Sequence, residues 1–108
     1  TRDFVYVGDV VSAIMQALTS EASLRDGGGR GPAYNISTGT ETSVETLAGE
    51  LRSASAVFRD FDHEPAREGD IARSALDPRK ARDVFAWSAR VPLSSGLALT
   101  WRWFVRNA

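Results

Sequence analysis

The sequence predicts a small domain of mixed α/β class. Short runs of aromatic and β-branched residues, which favour strands, alternate with segments whose apolar residues recur at helical spacing. The chain has 108 residues, the length of one small domain. Its hydrophobic fraction of 43% is sufficient for a core, and its charged fraction of 25% is ordinary for a soluble globular chain.

The first half of the chain is predicted to alternate strands and helices. Its two strands are rich in aromatic and β-branched residues and cover residues 4–7 and 33–37. A capping side chain precedes each helix: Asp9 stands before a helix from Val10, and Thr42 has capping-box spacing with Glu45. The glycine-rich residues 27–31 predict a flexible loop between the first helix and the second strand.

The second half is predicted to be mainly helical. Its elements are a strand at 57–61, a polar loop at 63–70, a helix that ends near Trp87 and a last helix that begins at Ser94 or Ser95. Asp77 and Pro78 predict the start of the first of these helices, because aspartate caps helices and proline suits the first helical position. In the last helix, Leu97, Trp101 and Phe104 fall on one predicted buried face.

Composition excludes several classes of function. The net charge is −1, which argues against a dedicated nucleic-acid binder. Cysteine is absent, so neither disulfides nor thiolate metal sites form, and no apolar run has the roughly 20 residues of a membrane span. The first residue is not methionine, so we expect an excised or processed piece of a longer protein.

Charge is divided unevenly along the chain. Residues 1–66 hold 5 basic and 10 acidic side chains, a net charge of −5, and residues 67–108 hold 8 and 4, a net charge of +4. Two explanations stay open. The halves attract each other or a neighbouring surface, or the basic half contains a site for an anion.

The usual catalytic patterns are missing. The glycine run at 27–31 does not join a strand to a helix and lacks the Gly-Lys-Ser/Thr ending of a phosphate-binding loop, so it is interpreted as a plain loop. Neither Tyr6 nor Tyr34 has a lysine four residues later, so no Tyr-x-x-x-Lys acid/base pair exists here. His63 lies among acidic residues, and a solvated loop is favoured there over a metal or general-base cluster.

The segment Arg67-Glu68-Gly69-Asp70 combines three features of a ligand-binding loop. The planar guanidinium of Arg67 suits phosphate oxygens, and the Asp70 carboxylate can accept hydrogen bonds from sugar hydroxyls. Gly69 permits close approach of the backbone to a ligand. On chemistry alone the pattern is weak, and an ordinary surface turn is the favoured interpretation.

The order of the motifs is more informative than any one of them. Together they resemble the C-terminal part of the extended short-chain dehydrogenase/reductase family, in particular nucleotide-sugar epimerases and dehydratases of the UDP-glucose 4-epimerase type. The resemblance covers nearly the whole chain. The motifs that carry it are Arg-Asp-Phe-Val-Tyr-Val-Gly-Asp at 2–9, Tyr-Asn-Ile-Ser-Thr-Gly at 34–39, Arg-Glu-Gly-Asp-Ile at 67–71, Asp-Pro-Arg-Lys-Ala at 77–81 and Thr-Trp-Arg-Trp-Phe at 100–104.

The resemblance implies a substrate-binding role within a longer Rossmann-type enzyme. The chain would be the C-terminal nucleotide-sugar-binding portion, and an N-terminal Rossmann domain outside it would bind NAD and carry the catalytic tyrosine and lysine. Arg2 and Arg67 would bind the diphosphate of a nucleotide sugar, and Asp70 would bind the ribose hydroxyls. An ion pair between Arg2 and Asp3 is the alternative for Arg2. No catalytic, cofactor-binding or metal-binding residue is expected among these 108 positions.

The resemblance also sets the expected reaction. It implies a cytoplasmic enzyme that moves hydride from sugar C4 to NAD and back to the opposite face, with a UDP-sugar as the expected substrate and a homodimer as the possible assembly. A nucleotide-sugar 4,6-dehydratase and a non-catalytic binding or interaction module are the alternatives. The chain departs from the family at Ser37 and Ala86, where the family usually has glycine. An alanine in a left-handed helix cap costs roughly 1 kcal/mol.

Overall fold

The computed structural model describes residues 1–20 and 33–108. The loop predicted at 27–31 lies outside the described residues. Within these ranges the helices are α1 (Val7–Thr19), α2 (Val44–Ser55), α3 (Arg79–Phe85) and α4 (Leu93–Asn107). Helices α2 and α4 pack against each other.

The strands predicted at 4–7, 33–37 and 57–61 are wrong, because none of these segments forms a ladder within the described residues. Backbone pairing occurs instead at residue 2. Arg2 and Thr42 exchange two backbone hydrogen bonds of 2.9 and 2.8 Å in an isolated antiparallel bridge. Strand propensity measures fit to a neighbouring strand, and a segment without a neighbour does not form one.

The starts of α1 and α2 differ from the predictions. Helix α1 begins three residues earlier than predicted, at Val7, and Asp9 therefore lies in its first turn rather than at its cap. The cap of α2 is Ser43, not Thr42: its hydroxyl accepts from the Thr46 amide at 3.0 Å. The two neighbouring hydroxyl residues offer similar capping chemistry, so spacing alone did not separate them.

Helices α3 and α4 lie close to their predicted positions. The cap residue of α3 is Pro78 and not Asp77 as predicted, but the Asp77 carboxylate still accepts from the Arg79 amide at 3.0 Å. Helix α3 ends at Phe85, where Ala86 adopts a left-handed conformation with φ of 56°. Helix α4 begins at Leu93, one residue before the earlier of the two predicted starts.

A small core surrounds Trp87, whose side chain is 1% exposed. Ala13 of α1 and Ala81 of α3 are buried with it, and Tyr34 and Phe85 pack against this group with their rings 5.1 Å apart. The indole N–H of Trp87 donates to the Asp9 carbonyl and the Ser12 hydroxyl, each at 3.0 Å. The buried indole nitrogen is thereby satisfied.

Helix α1 presents an apolar stripe on the surface. Its members recur every three or four residues and are more than half exposed: Val7, Val11, Ile14 and Leu18. Four aligned apolar side chains normally face a packing partner. None of the helices in the described ranges is long and apolar enough to cross a membrane.

Candidate functional site

The predicted binding loop contains a tight turn at Arg67–Asp70. The Asp70 amide donates to the Arg67 carbonyl at 3.3 Å, and Gly69 has φ of +85°. A positive φ at the third residue is the requirement of a type II turn, which explains the glycine between Glu68 and Asp70. The turn confirms the loop prediction for 63–70. It also presents the side chains of Arg67 and Asp70 from the two ends of one four-residue unit.

Arg2 is joined to this loop by its side chain. Its Nη1 donates to the Ile71 carbonyl at 2.5 Å and to the Thr1 carbonyl at 2.7 Å. Ile71 directly follows Asp70, so the hydrogen bond places the Arg2 guanidinium beside the end of the turn. The alternative of an ion pair with Asp3 is wrong, because the Asp3 carboxylate instead accepts from the backbone amides of residues 38 and 39.

Some N–H donors of the Arg2 guanidinium make no hydrogen bond with the described residues. Arginine carries five N–H groups, and the two on Nη1 match the two carbonyl contacts. The donors on Nε and Nη2 make no hydrogen bond with the described residues. A ligand phosphate could therefore be bound by the free edge of Arg2 while the other edge holds the loop.

The segment after the turn runs alongside the first two residues. The amino nitrogen of Thr1 donates to the Ala72 carbonyl at 2.6 Å, and the Ser74 amide donates to the Thr1 carbonyl at 3.2 Å. With Thr42 on the other side of Arg2, three separate segments meet here. This is the region that positions the predicted binding residues.

An ion pair reinforces that junction. Arg73 donates to the Glu41 carboxylate through Nε at 2.9 Å and Nη2 at 3.1 Å, and the Thr1 hydroxyl donates to the same carboxylate at 2.9 Å. The hydrogen bonds from Arg73 lower the pKa of Glu41, and those with Glu41 raise the pKa of Arg73. Sequence analysis did not identify either residue, since 32 positions separate them and no motif spacing connects them.

Arg67 and Asp70 themselves are exposed, and their side chains make no hydrogen bond or ion pair within the described part of the chain. An exposed guanidinium and an exposed carboxylate that emerge from one fixed turn can each bind a different part of a ligand. Arginine suits a diphosphate and carboxylate suits vicinal hydroxyls. Of the three predicted site residues, the structure links Arg2 to the loop and leaves these two available to solvent.

The other candidate chemistry lies apart from this region. His63 is exposed in the loop, and no three histidine, aspartate or glutamate side chains among residues 1–20 and 33–108 are grouped to hold a metal ion. A cavity of about 470 Å³ lies between residues 37–42 and 78–93. It contains none of the three predicted binding residues.

Comparison with known proteins identifies the family. A family model described as GDP-mannose 4,6 dehydratase matches residues 1–100. The UDP-glucose 4-epimerase of Mycolicibacterium smegmatis is 38% identical over 106 residues, which cover 96% of this chain and 31% of that protein. The chain belongs to the extended short-chain dehydrogenase/reductase family.

Solved structures of the family share the fold of this chain. The UDP-glucose 4-epimerase of Thermotoga maritima, solved with UDP-glucose, is 32% identical with a TM-score of 0.83, over 97% of this chain and 31% of that one. A UDP-glucose-4-epimerase from Stenotrophomonas maltophila, with bound NAD and formylated UDP-arabinopyranose, is 35% identical with a TM-score of 0.81, over 98% and 31%. The predicted α/β class within a Rossmann-type reductase is confirmed. The chain spans about a third of the length of these relatives.

The two departures from the family pattern have local structural consequences. Ser37, in place of the usual glycine, is 3% exposed, and its hydroxyl donates to the Leu76 carbonyl at 3.0 Å. The serine therefore adds a bond between two loops. Ala86 adopts the left-handed conformation at the cap of α3, before Trp87, at the conformational cost that alanine carries there.

Proposed function

We propose that residues 1–108 form the nucleotide-sugar-binding part of an NAD-dependent 4-epimerase acting on a UDP-sugar. Family membership supports this proposal, and so do relatives that are UDP-glucose 4-epimerases. The observation that carries the assignment to particular residues is the hydrogen bond from Arg2 to the Ile71 carbonyl. This bond brings Arg2 to the turn that bears Arg67 and Asp70.

The three residues are proposed to bind two parts of the nucleotide, the diphosphate and the ribose. Arg67 and the free edge of Arg2 bind the diphosphate, because two guanidinium groups can make charge-assisted contacts to a dianionic group, worth about 1.5–3 kcal/mol each. Asp70 accepts hydrogen bonds from the ribose hydroxyls. The turn holds the backbone of Arg67 and Asp70 in one geometry, which reduces the entropy lost when the ligand binds.

The redox chemistry is assigned to the part of the parent protein outside this chain. NAD, when bound there, would accept a hydride from sugar C4 and return it. The 108 residues contain neither a glycine-rich turn between a strand and a helix nor a Tyr-x-x-x-Lys pair. We therefore expect the chain by itself to be inactive and to have no NAD affinity. Its task is to bind and orient the nucleotide.

A second candidate function is a nucleotide-sugar 4,6-dehydratase. The family model that matches residues 1–100 carries that description, which favours this candidate specifically. Both enzymes need a diphosphate site, so the roles proposed for Arg2, Arg67 and Asp70 are the same in either case. A non-catalytic nucleotide-sugar-binding module is the third candidate.

Product analysis with the full-length parent separates these candidates. The NAD-loaded protein is incubated in turn with UDP-glucose and GDP-mannose, and the products are followed by proton NMR. A C4 epimer of the UDP-sugar is the expected result, whereas a 4-keto-6-deoxy product would establish the dehydratase. Binding of UDP or GDP without turnover of either sugar would establish the non-catalytic module, and failure to bind either nucleotide would contradict all three.

A further inference from the structure

Of the residues that directly flank the turn at Arg67–Asp70, those that follow it are hydrogen-bonded to other described segments and those that precede it are not. Before the turn, residues 62–66 make no hydrogen bond with other described residues. On the other side, every residue from Ile71 to Ser74 makes a hydrogen bond to the segment Thr1–Arg2 or to Glu41. The position of the turn is therefore set mainly from its C-terminal side.

Glu41 is the residue that connects these attachments through its side chain. Its two carboxylate oxygens accept from Nε and Nη2 of Arg73, and one of them also accepts from the Thr1 hydroxyl. A bidentate contact fixes both the distance and the orientation of a guanidinium. Thr42, the next residue, is paired with Arg2 through the backbone, so the carboxylate stands on the same short segment that holds Arg2.

We propose that Glu41 is a positioning residue for the nucleotide diphosphate: through Arg73 and Thr1 it holds the Arg67–Asp70 turn in register with Arg2. This inference rests on the proposed function, since it takes Arg2 and Arg67 as diphosphate ligands. Glu41 itself does not contact the ligand, because an acidic side chain would repel a diphosphate. Its effect is transmitted through segment 71–74.

The sign of the effect distinguishes positioning from simple electrostatics. Replacing Glu41 by glutamine removes a negative charge near a site for an anion, and long-range electrostatics alone would strengthen UDP binding. Loss of positioning would weaken it, because the turn would need to be ordered when the ligand binds. The pair is exposed and therefore weak, so the expected loss of UDP affinity is small, up to about fivefold.

The chain offers a matched control in Asp77. Its carboxylate makes a similar exposed, multidentate contact with Arg79, with Nη2 to Oδ2 at 2.6 Å. That pair lies at the start of α3 and does not touch segment 71–74. The substitution Asp77→Asn removes the same charge and a similar pair, but it should leave UDP affinity unchanged.

The experiment is calorimetric titration of UDP into the full-length, NAD-loaded parent. Glu41→Gln is expected to weaken UDP binding by two- to fivefold and raise the KM of the nucleotide sugar, with kcat and NAD affinity unchanged. The charge-reversed double variant Glu41→Arg/Arg73→Glu restores the pair and should recover wild-type affinity. Asp77→Asn should match the wild type.

Two outcomes would overturn the inference: tighter or unchanged UDP binding in Glu41→Gln, or equal weakening in Asp77→Asn. An Arg67→Ala variant, titrated in parallel, separates this failure from failure of the proposed function. If Arg67→Ala loses affinity and Glu41→Gln does not, only the positioning role is wrong. If Arg67→Ala binds UDP like the wild type, the binding site itself is wrong, and the positioning role fails with it.

Discussion

The surroundings of Trp87 and the turn at Arg67–Asp70 are built in opposite ways. Around Trp87 the polar groups are buried and paired: Asp9 is 5% exposed, and its carboxylate accepts from the amides of Arg90 and Val91 at 3.1 and 2.9 Å. At the turn, the side chains of Arg67 and Asp70 are exposed and have no partner within the described residues.

This difference suggests that the region around Trp87 stabilises the fold and that the turn binds the ligand. Buried and satisfied groups contribute to stability, and removing one leaves its partners unpaired. Exposed charged groups on a fixed turn contribute little to stability but are available to a ligand. We therefore expect substitutions near Trp87 to change the free energy of unfolding, and substitutions at the turn to change ligand affinity.

The largest expected effect on stability is that of Asp9→Ala. It removes the acceptor of two backbone amides in a buried position, so the free energy of unfolding should fall by about 3 kcal/mol. Asp83→Ala is the control, because Asp83 is exposed and its carboxylate accepts from the neighbouring Arg82, so it should stay within about 0.5 kcal/mol of the wild type. Urea unfolding of the full-length protein provides the measurement. Equal effects would show that the Asp9 contacts do not stabilise the fold.

A smaller effect of opposite sign is expected from Ala86→Gly. Alanine at φ of 56° is strained, and glycine is not, so the substitution should raise the free energy of unfolding by about 1 kcal/mol. The same change at Ala54, inside α2, should lower it by about 1 kcal/mol. UDP affinity should be unchanged in both variants. A destabilised Ala86→Gly variant would contradict the description of this cap.

The smallest effect is a pH dependence at Asp77. The hydrogen bonds from Arg79 lower the pKa of the Asp77 carboxyl from 3.8 to about 2. Because the folded value lies below the unfolded one, the stabilisation is complete above about pH 4 and is lost as the pH falls toward 2. The difference in Tm between wild type and Asp77→Asn should therefore be largest near neutral pH and shrink below pH 4. A difference that grows on acidification would reverse the assigned sign.

The helices were predictable from sequence, and the pairing was not. Apolar periodicity and local start signals such as Asp77-Pro78 are properties of neighbouring residues, so α3 and α4 were placed within a residue or two. A strand forms only where it has a partner, and that partner is often distant in sequence. The aromatic and β-branched residues 4–7 therefore gave a wrong strand prediction, and the bridge formed between Arg2 and Thr42.

In the candidate site, too, local features were predictable from sequence and contacts between distant segments were not. Arg67 and Asp70 stand in one short motif with the glycine that their turn requires, so the sequence revealed them together. The contacts of Glu41 with Arg73 and of Arg2 with Ile71 join segments that are 32 and 69 residues apart. Only the pairing of the segments in three dimensions shows such contacts.

The most direct test of the account compares UDP with uridine as ligands of the full-length Arg67→Ala variant. If Arg67 binds the diphosphate, UDP affinity should fall by about 1.5–3 kcal/mol, roughly ten- to 150-fold, and Arg67→Lys should recover only part of it. Uridine lacks the diphosphate, so its affinity should not change. In Asp70→Asn, UDP and uridine should weaken together, because both carry the ribose. Wild-type UDP affinity in Arg67→Ala, or an equal loss of affinity for UDP and uridine, would contradict the proposal that Arg67 binds the diphosphate and Asp70 binds the ribose.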